Sequence, residues 1–149
     1  MKKLMLIAFI VVAGYTVFNQ YLASSSPAHV GVLSQQPSYS DSEFASAYQN
    51  RASHLQILGR GSVVKLLPDD NKGSRHQRFI VRLDSGQTLL VAHNIDLAPR
   101  ITQLSEGDTV SFYGEYEWND KGGLMHWTHH DPNGSHIAGW IEHQGHTYQ

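Results

Sequence analysis

The sequence predicts a mainly β protein: a small OB-fold-like barrel with one short N-terminal helix, preceded by a membrane or export helix. Three observations predict it. These are an apolar run near the N-terminus, alternating apolar and polar residues after residue 54, and turn residues between the alternating segments. At 149 residues the chain can bury one modest core. We therefore expect residues 1–25 to be a signal peptide or signal anchor, residues 26–40 a flexible linker, and residues 41–149 the OB-fold-like domain.

The N-terminal segment has the pattern of an export signal. Lys2 and Lys3 precede a mainly apolar run that ends at Phe18. A basic flank stays in the cytoplasm while the apolar run enters the membrane. Fifteen residues span about 22 Å as a helix, less than the hydrocarbon core of about 30 Å. Cleavage near residue 25 or 28 therefore competes with anchoring in the inner membrane by residues 4–22, and both place the domain in the periplasm or outside the cell.

The first predicted element of the domain is a helix over residues 41–51. Ser40 and Glu43 form a capping box, and Phe44 and Tyr48 follow at helical spacing. The residues before this helix are rich in Ser, Gln and Pro, which is typical of a tether. We expect the Phe44 and Tyr48 side chains to pack on the domain that follows.

A period of two then predicts the strands. Predicted strands cover residues 54–67, 77–83, 88–93, 110–117 and 124–130, and residues 137–149 add one or two short strands. Gly59 and Gly61 predict a bulge or bend that lets the first strand serve both halves of a barrel. Residues 94–104 are predicted to be a short helical or irregular segment. This order favours an OB barrel over an SH3-like barrel or a small sandwich.

Four histidines surround the predicted turn Asp131–Gly134. Pro, Asn and Gly each favour turn geometry, so the segment is expected to close a hairpin. His129 would then face His136 across two strands, with Cβ atoms about 4.5–5.5 Å apart. Side-chain alternation allows two or three ligands at one ion. The predicted metal donors are His129, His130, Asp131 and His136, with His126 as a further donor.

The ion expected at these donors is a divalent transition metal, since neutral imidazole suits Zn, Cu, Ni and haem iron. Three tail residues could complete its shell: Glu142, His143 and His146. The competing interpretation is that these histidines are polar or hydrogen-bonded surface side chains. A separate ligand rim is predicted at Arg78, His93, Asn94, Arg100 and Trp127. We interpret four residues of this segment first as partners in hydrogen bonds that hold the loop, and second as a ligand rim: His93, Asn94, Asp96 and Arg100.

Composition narrows the function. The chain has no cysteine, which excludes thiolate chemistry and Cys-based zinc sites. Without Lys2 and Lys3, 9 basic residues remain against 13 acidic ones, so the net charge is −4 and nucleic acid is a disfavoured partner. The main hypothesis is an exported or membrane-anchored module that binds an unknown small ligand or exported partner.

Two alternatives remain open. The first is a metal-dependent hydrolase or nuclease-like enzyme that uses the same histidines, with Glu115 or Glu117 as general base. The second is polyanion or oligosaccharide binding on the barrel face, where basic residues accompany stacking aromatics. The basic residues are Arg60, Lys65, Lys72, Arg75, Arg78 and Arg82, and the aromatics are Tyr113, Tyr116, Trp118 and Trp127.

Four motifs carry a family resemblance. They are HQRFIV at 76–81, LLVAHNIDLAPRI at 89–101, GEYEWN at 114–119 and HWTHHDPNGSH at 126–136. On these motifs, over about residues 50–149, the chain is identified as a member of the uncharacterised bacterial family called domain of unknown function 3465. The resemblance implies a small exported protein and carries no activity.

The order of three further motifs resembles the periplasmic haem chaperone of cytochrome c maturation, a membrane-anchored OB domain. The motifs are Leu97-Ala98-Pro99, the strand end Gly114-Glu115-Tyr116, and His130-Asp131. Gly134 stands where that chaperone has a tyrosine, which excludes tyrosine ligation at this position. The resemblance therefore implies shared architecture.

Overall fold

The structure is a computed structural model and describes residues 39–149. The predicted signal peptide or anchor and nearly all of the predicted linker lie outside the described residues. Within the described part, no helix is long and apolar enough to cross a membrane. The prediction of a mainly β fold with one short helix is confirmed there.

One helix and seven strands make up the described part: α1 Asp41–Gln49, β1 Leu55–Asp70, β2 His76–Arg82, β3 Thr88–Asn94, β4 Thr109–Glu117, β5 Leu124–His126, β6 Trp140–His143 and β7 His146–Tyr148. The segment between β3 and β4, predicted to be helical or irregular, contains turns and no helix. The strands form a single sheet in the order β1-β2-β3-β5-β4-β6-β7, and β4 also pairs with β1. The β3–β5 pair is parallel and every other pair is antiparallel.

Helix α1 is capped and docked as its sequence predicts. The Ser40 side chain accepts a hydrogen bond of 3.3 Å from the Glu43 backbone N–H. Phe44 is fully buried. Its ring centroid lies 6.1 Å from that of Phe112 and 5.9 Å from that of Tyr116, distances at which aromatic pairs attract. One face of α1 thereby joins the core.

Strand β1 is long enough to pair with two partners, as predicted. Residues 55–62 pair with β4, and residues 62–70 pair with β2. The irregularities, however, lie between Val63 and Lys65 and between Leu67 and Asp70, so the prediction of a bulge at the glycines was wrong. Gly59 instead leaves room for the Phe112 ring, which a Cβ there would strike. The missing side chain at Gly59 therefore allows close packing against Phe112.

Alternation along β4 separates the core from the outer surface. Its inward residues are buried: Val110, Phe112, Gly114 and Tyr116. Glu115 and Glu117 fall between and after them, and both are only partly exposed. Because successive strand residues point to opposite sides, the two glutamates share one face of the sheet.

The predicted hairpin around residues 131–134 is absent. Strand β5 ends at His126, not at residue 130, because Trp127 has a left-handed φ of 52° that takes the chain out of the strand. Residues 127–139 form no strand, and we call them loop 127–139. The predicted turn itself is present: Gly134 has a φ of 67°, and the Asp131 carboxylate accepts the Asn133 backbone N–H at 2.9 Å.

Candidate metal centre

Four side chains converge beside the start of β1. Among residues 39–149, one group of three possible metal donors has every ligand atom within 4.8 Å of the others, and it consists of His54, Glu115 and Glu117. His54 Nδ1 lies 2.9 Å from Glu115 Oε1 and 2.8 Å from Glu117 Oε1. His126 Nε2 lies 3.7 Å and 4.0 Å from the same two oxygens. We call these four residues the His–Glu cluster.

Strand pairing explains the convergence. Glu115 and Glu117 are two residues apart on β4, and His126 of β5 lies directly opposite Glu115. His54 immediately precedes Leu55, whose partner on β4 is Tyr116, between the two glutamates. His54 also has a left-handed φ of 60°, a conformation that costs a non-glycine residue about 1–2 kcal/mol. Such strain is concentrated at functional sites.

The two histidines of the cluster differ in electrostatics. His54 is exposed, and its pKa is raised above 6.5, first by the hydrogen bond to Glu115 and then by the charge of Glu117. Burial lowers the pKa of His126, and the two glutamate charges oppose that effect. The Nε2 atom of His126 is buried and has no hydrogen-bond partner. A buried polar atom without a partner is costly and calls for an explanation, such as an ion.

The predicted donors of the histidine-rich stretch are distributed differently. His129 and His136 do lie together, with ring centroids 5.1 Å apart. Asp131 Oδ1 lies 3.9 Å from His136 Nε2. His130 is exposed, and His126 belongs to the His–Glu cluster instead. In the described part, the predicted donors form no group of three with all ligand atoms within 4.8 Å.

His93 fastens β3 to two loops. It is fully buried; its Nε2–H donates to the Pro99 carbonyl at 3.2 Å, and Nδ1 lies 2.9 Å from the Thr128 hydroxyl. Burial lowers its pKa to about 4. Asn94 accepts the Asp96 backbone N–H at 2.9 Å. These contacts are the loop-tying hydrogen bonds expected of the segment.

Several of the residues predicted for a ligand rim or a polyanion face contact the protein itself. Arg78 donates two hydrogen bonds to the Pro68 carbonyl, and Arg100 pairs with Asp69. Arg75 pairs with Asp96 at 2.7 Å, and the Arg60 guanidinium lies over Tyr39. Of the predicted stacking residues, Tyr116 is fully buried, Trp118 stacks on Tyr48, and the Tyr113 ring lies beside Trp140. Lys65, Lys72 and Arg82 are exposed, and binding of a polyanion or oligosaccharide at this face stays a prediction.

The tail histidines lie elsewhere. His143 is buried on β6, with Nε2 2.8 Å from Asp108 Oδ2, and fastens the strand to the turn before β4. His146 Nδ1 bonds the Gln144 carbonyl within the β6–β7 turn. Glu142 is exposed opposite Ser111. Among residues 39–149, none of the three belongs to a group of three donors with all ligand atoms within 4.8 Å, so the structure does not bring them into a shell with the predicted donors of the histidine-rich stretch.

Sequence reasoning did not single out His54. The residue lies 61 positions before Glu115 and belongs to no histidine motif. Only the pairing of β1 with β4 brings it between the two carboxylates. The available signal was the alternation of β4, which already placed Glu115 and Glu117 on one outer face.

The chain also matches a known family. The family model described as "Protein of unknown function (DUF3465)" matches residues 29–149, which confirms the predicted family. No curated protein is significantly similar to the chain.

Proposed function

Because the chain belongs to the family described as "Protein of unknown function (DUF3465)", whose name gives no activity, we propose its function from the site: an exported, OB-fold-like module that binds a divalent transition metal ion at the His–Glu cluster. One observation carries the proposal. One imidazole nitrogen and two carboxylate oxygens converge within 4.8 Å, and the buried, unpaired Nε2 of His126 lies next to them.

The strand pairings support the OB-fold-like part of the proposal. Pairing runs from β1 through β2, β3 and β5 to β4 and returns to β1, so five strands follow one another around a ring. A long first strand shared by two partners fits the five-stranded Greek-key barrel of OB folds. OB folds bind ligands on the face of strands 2 and 3 and in loops that include the one between strands 4 and 5. The cluster lies on the outer face of β4 and β5.

The spacing of the donor atoms supports a metal ion. Four ligand atoms at about 2.0–2.2 Å from a tetrahedral ion are about 3.3–3.6 Å apart. The nitrogen–oxygen distances in the cluster, 2.8, 2.9, 3.7 and 4.0 Å, fall on both sides of that value. Side-chain movements of a few tenths of an ångström are therefore enough to bring the four nitrogen–oxygen distances to about 3.3–3.6 Å.

The donor types support a first-row transition metal. Imidazole nitrogen and carboxylate oxygen together suit Zn²⁺ and its neighbours, whereas Ca²⁺ and Mg²⁺ prefer oxygen alone. Glu115 and Glu117 are like charges on one face of β4 and repel each other. In this structure His54 lies between their oxygens. A divalent ion would reduce the same repulsion more strongly and use the lone pair of His126.

Export is proposed from the N-terminal sequence. Lys2 and Lys3 before the apolar run favour insertion into the inner membrane, with residues 4–22 either removed or kept as an anchor. The domain would then meet metal ions, small ligands or other exported proteins outside the cytoplasm.

We expect the double substitution Glu115→Gln with Glu117→Gln to weaken Zn²⁺ binding by more than about 100-fold. Amides keep the size of the side chains and remove both charges, and loss of outer partners alone already costs metal sites about 10–100-fold. Isothermal titration of the full chain in mild detergent measures the effect. Glu142→Gln, an exposed glutamate on β6, is the matched control and should bind as the unchanged chain does. Equal affinity in all three proteins would contradict the site.

We expect Zn²⁺ affinity to fall as pH is lowered from about 7.5 to about 5.5, because protons and metal compete for imidazole nitrogen. His54 dominates the effect, since its pKa is raised above 6.5 and it is the first of the two histidines to gain a proton on acidification. His126, whose pKa is lowered, stays neutral over more of this range. Titrations at three pH values measure the slope, and His54→Gln should flatten it. An unchanged slope in that variant would exclude His54 as a ligand.

A further inference from the structure

We propose a second metal position in loop 127–139, formed by His129 and His136 with Asp131 as oxygen donor, which takes a nitrogen-preferring divalent ion, Cu²⁺ first. The position shares no ligand with the His–Glu cluster, so the inference goes beyond the proposed function and stands independently of it.

Hydrogen bonds fix both imidazoles in the form that binds metal through Nε2. His129 Nδ1 lies 2.7 Å from the His130 carbonyl oxygen, and His136 Nδ1 lies 2.8 Å from the Ile137 carbonyl oxygen. A carbonyl oxygen only accepts, so in the neutral form of each ring Nδ1 carries the proton and Nε2 keeps a lone pair. Metal-ligating histidines almost always donate their other N–H to a carbonyl, a carboxylate or water. Both rings therefore already have the outer contacts of a metal site.

The distance between the two rings suits one shared ion. An imidazole that binds at about 2.0–2.1 Å has its ring centre about 3.1–3.2 Å from the ion, so two such rings at 90–110° are roughly 4.5–5.2 Å apart. The centroids of His129 and His136 are 5.1 Å apart, and their planes are nearly perpendicular at 82°. The ring centres thus have the separation of two adjacent ligands. The donor atoms of His129, His136 and Asp131 are not all within 4.8 Å of one another, so an ion would have to draw these side chains together.

Asp131 supplies the nearby negative charge. Its Oδ1 lies 3.9 Å from His136 Nε2, and its Oδ2 accepts the His136 backbone N–H at 2.7 Å. That backbone hydrogen bond is the main cause of the lowered pKa of Asp131, so the carboxylate stays charged. Two imidazole nitrogens and one carboxylate oxygen form a donor set typical of Cu²⁺ and Ni²⁺.

The surroundings shield the position from water. The side chains of His136 and Asp131 are each 5% exposed. The Trp127 ring centroid lies 3.9 Å from that of His136 and 5.5 Å from that of His126, so Trp127 reports an ion in the loop once the two glutamates of the His–Glu cluster are replaced. Burial lowers the pKa of His129, which keeps that imidazole neutral and able to bind. His130, also in the loop, is exposed and takes no part.

The test is a Cu²⁺ titration of the full chain in four forms, followed by Trp fluorescence and electron paramagnetic resonance. The forms are the unchanged chain, Glu115→Gln/Glu117→Gln, His129→Gln/His136→Gln, and His130→Gln as control. In the Glu115→Gln/Glu117→Gln form, we expect one Cu²⁺ to remain bound, with hyperfine splitting from two imidazole nitrogens. It should quench a Trp signal that disappears in a further Trp127→Phe variant. Adding His129→Gln/His136→Gln to the Glu115→Gln/Glu117→Gln form should remove this ion, which distinguishes it from an ion held by His54 and His126. Adding His130→Gln should leave it in place.

Two results would overturn the inference. One is no Cu²⁺ bound by the Glu115→Gln/Glu117→Gln form. The other is a spectrum of that form without hyperfine splitting from two imidazole nitrogens. This result contradicts the inference even if His129→Gln/His136→Gln does not fold. If instead the His–Glu cluster binds no metal ion, the two glutamate substitutions would leave the Zn²⁺ affinity unchanged.

Discussion

Replacing Gly139 by alanine is expected to lower the free energy of unfolding by about 3 kcal/mol, at the upper end of the usual cost of overpacking. A Cβ at Gly139 would strike the carbonyl oxygens of Trp127 and Tyr113 and come within 3.0 Å of the Thr128 Cα. All three obstacles are backbone atoms, which cannot rotate away as a side chain can. The Gly139 N–H also donates to the His129 carbonyl at 2.9 Å, so the clash would push loop 127–139 off β4.

Gly134→Ala in the same loop is the matched control for this substitution. No atom lies within 4 Å of an added Cβ there, and the only cost is its left-handed φ of 67°, about 1–2 kcal/mol. Urea unfolding of the two variants gives the comparison. Equal losses of stability would show that the loop does not approach β4 as closely as described. A second consequence is specific to Gly139→Ala: the contact between His129 and His136 should be lost, and with it the Cu²⁺ position.

Acidification from about pH 6.5 to pH 4 is expected to remove about 3 kcal/mol of stability through His93 alone. Its pKa falls from 6.5 to about 4 on folding, because the ring is buried between β3 and two loops. Each unit is worth about 1.36 kcal/mol. The unfolded chain takes up the proton at about pH 6.5 and the folded chain only near pH 4. The stabilisation is therefore complete above pH 6.5 and lost as pH falls towards 4.

Urea unfolding at pH 7.5, 5.5 and 4.5 measures this loss. A His93→Gln variant should be less stable at pH 7.5, since the buried hydrogen bonds to Pro99 and Thr128 are disturbed. Its stability should nevertheless fall less steeply with pH. Parallel curves for the two proteins would contradict the assignment. Proton resonances of the His93 ring provide a second measure if the variant does not fold, because the unchanged chain should then show a pKa close to 4.

Local patterns in the sequence predict the parts of the fold that local physics determines. The capping box at Ser40 and Glu43 predicts where α1 begins, because the cap bonds lie within one turn. The alternation of β4 predicts which residues face inward and that Glu115 and Glu117 share the outer face. Burial of one face makes a one-residue slip of that strand costly.

Features set by distant contacts are not visible in the sequence. Trp127 fits the strand pattern, yet its left-handed φ ends β5 and turns a predicted hairpin into loop 127–139. His54 reaches the two glutamates only through the pairing of β1 with β4. The histidine-rich stretch predicts only that the imidazoles of His129 and His136 face each other. The group of three close donors lies around His54, because strand pairing and not a local motif brings that residue to the glutamates.

The central claim is that a divalent metal ion binds at the His–Glu cluster. The most direct measurement is anomalous diffraction at the zinc edge from crystals of the protein grown with Zn²⁺. We predict one anomalous peak within about 2.0–2.2 Å of ligand atoms of His54, Glu115, Glu117 and His126. Crystals in which the four side chains are well ordered, with no peak between them at millimolar Zn²⁺, would contradict it.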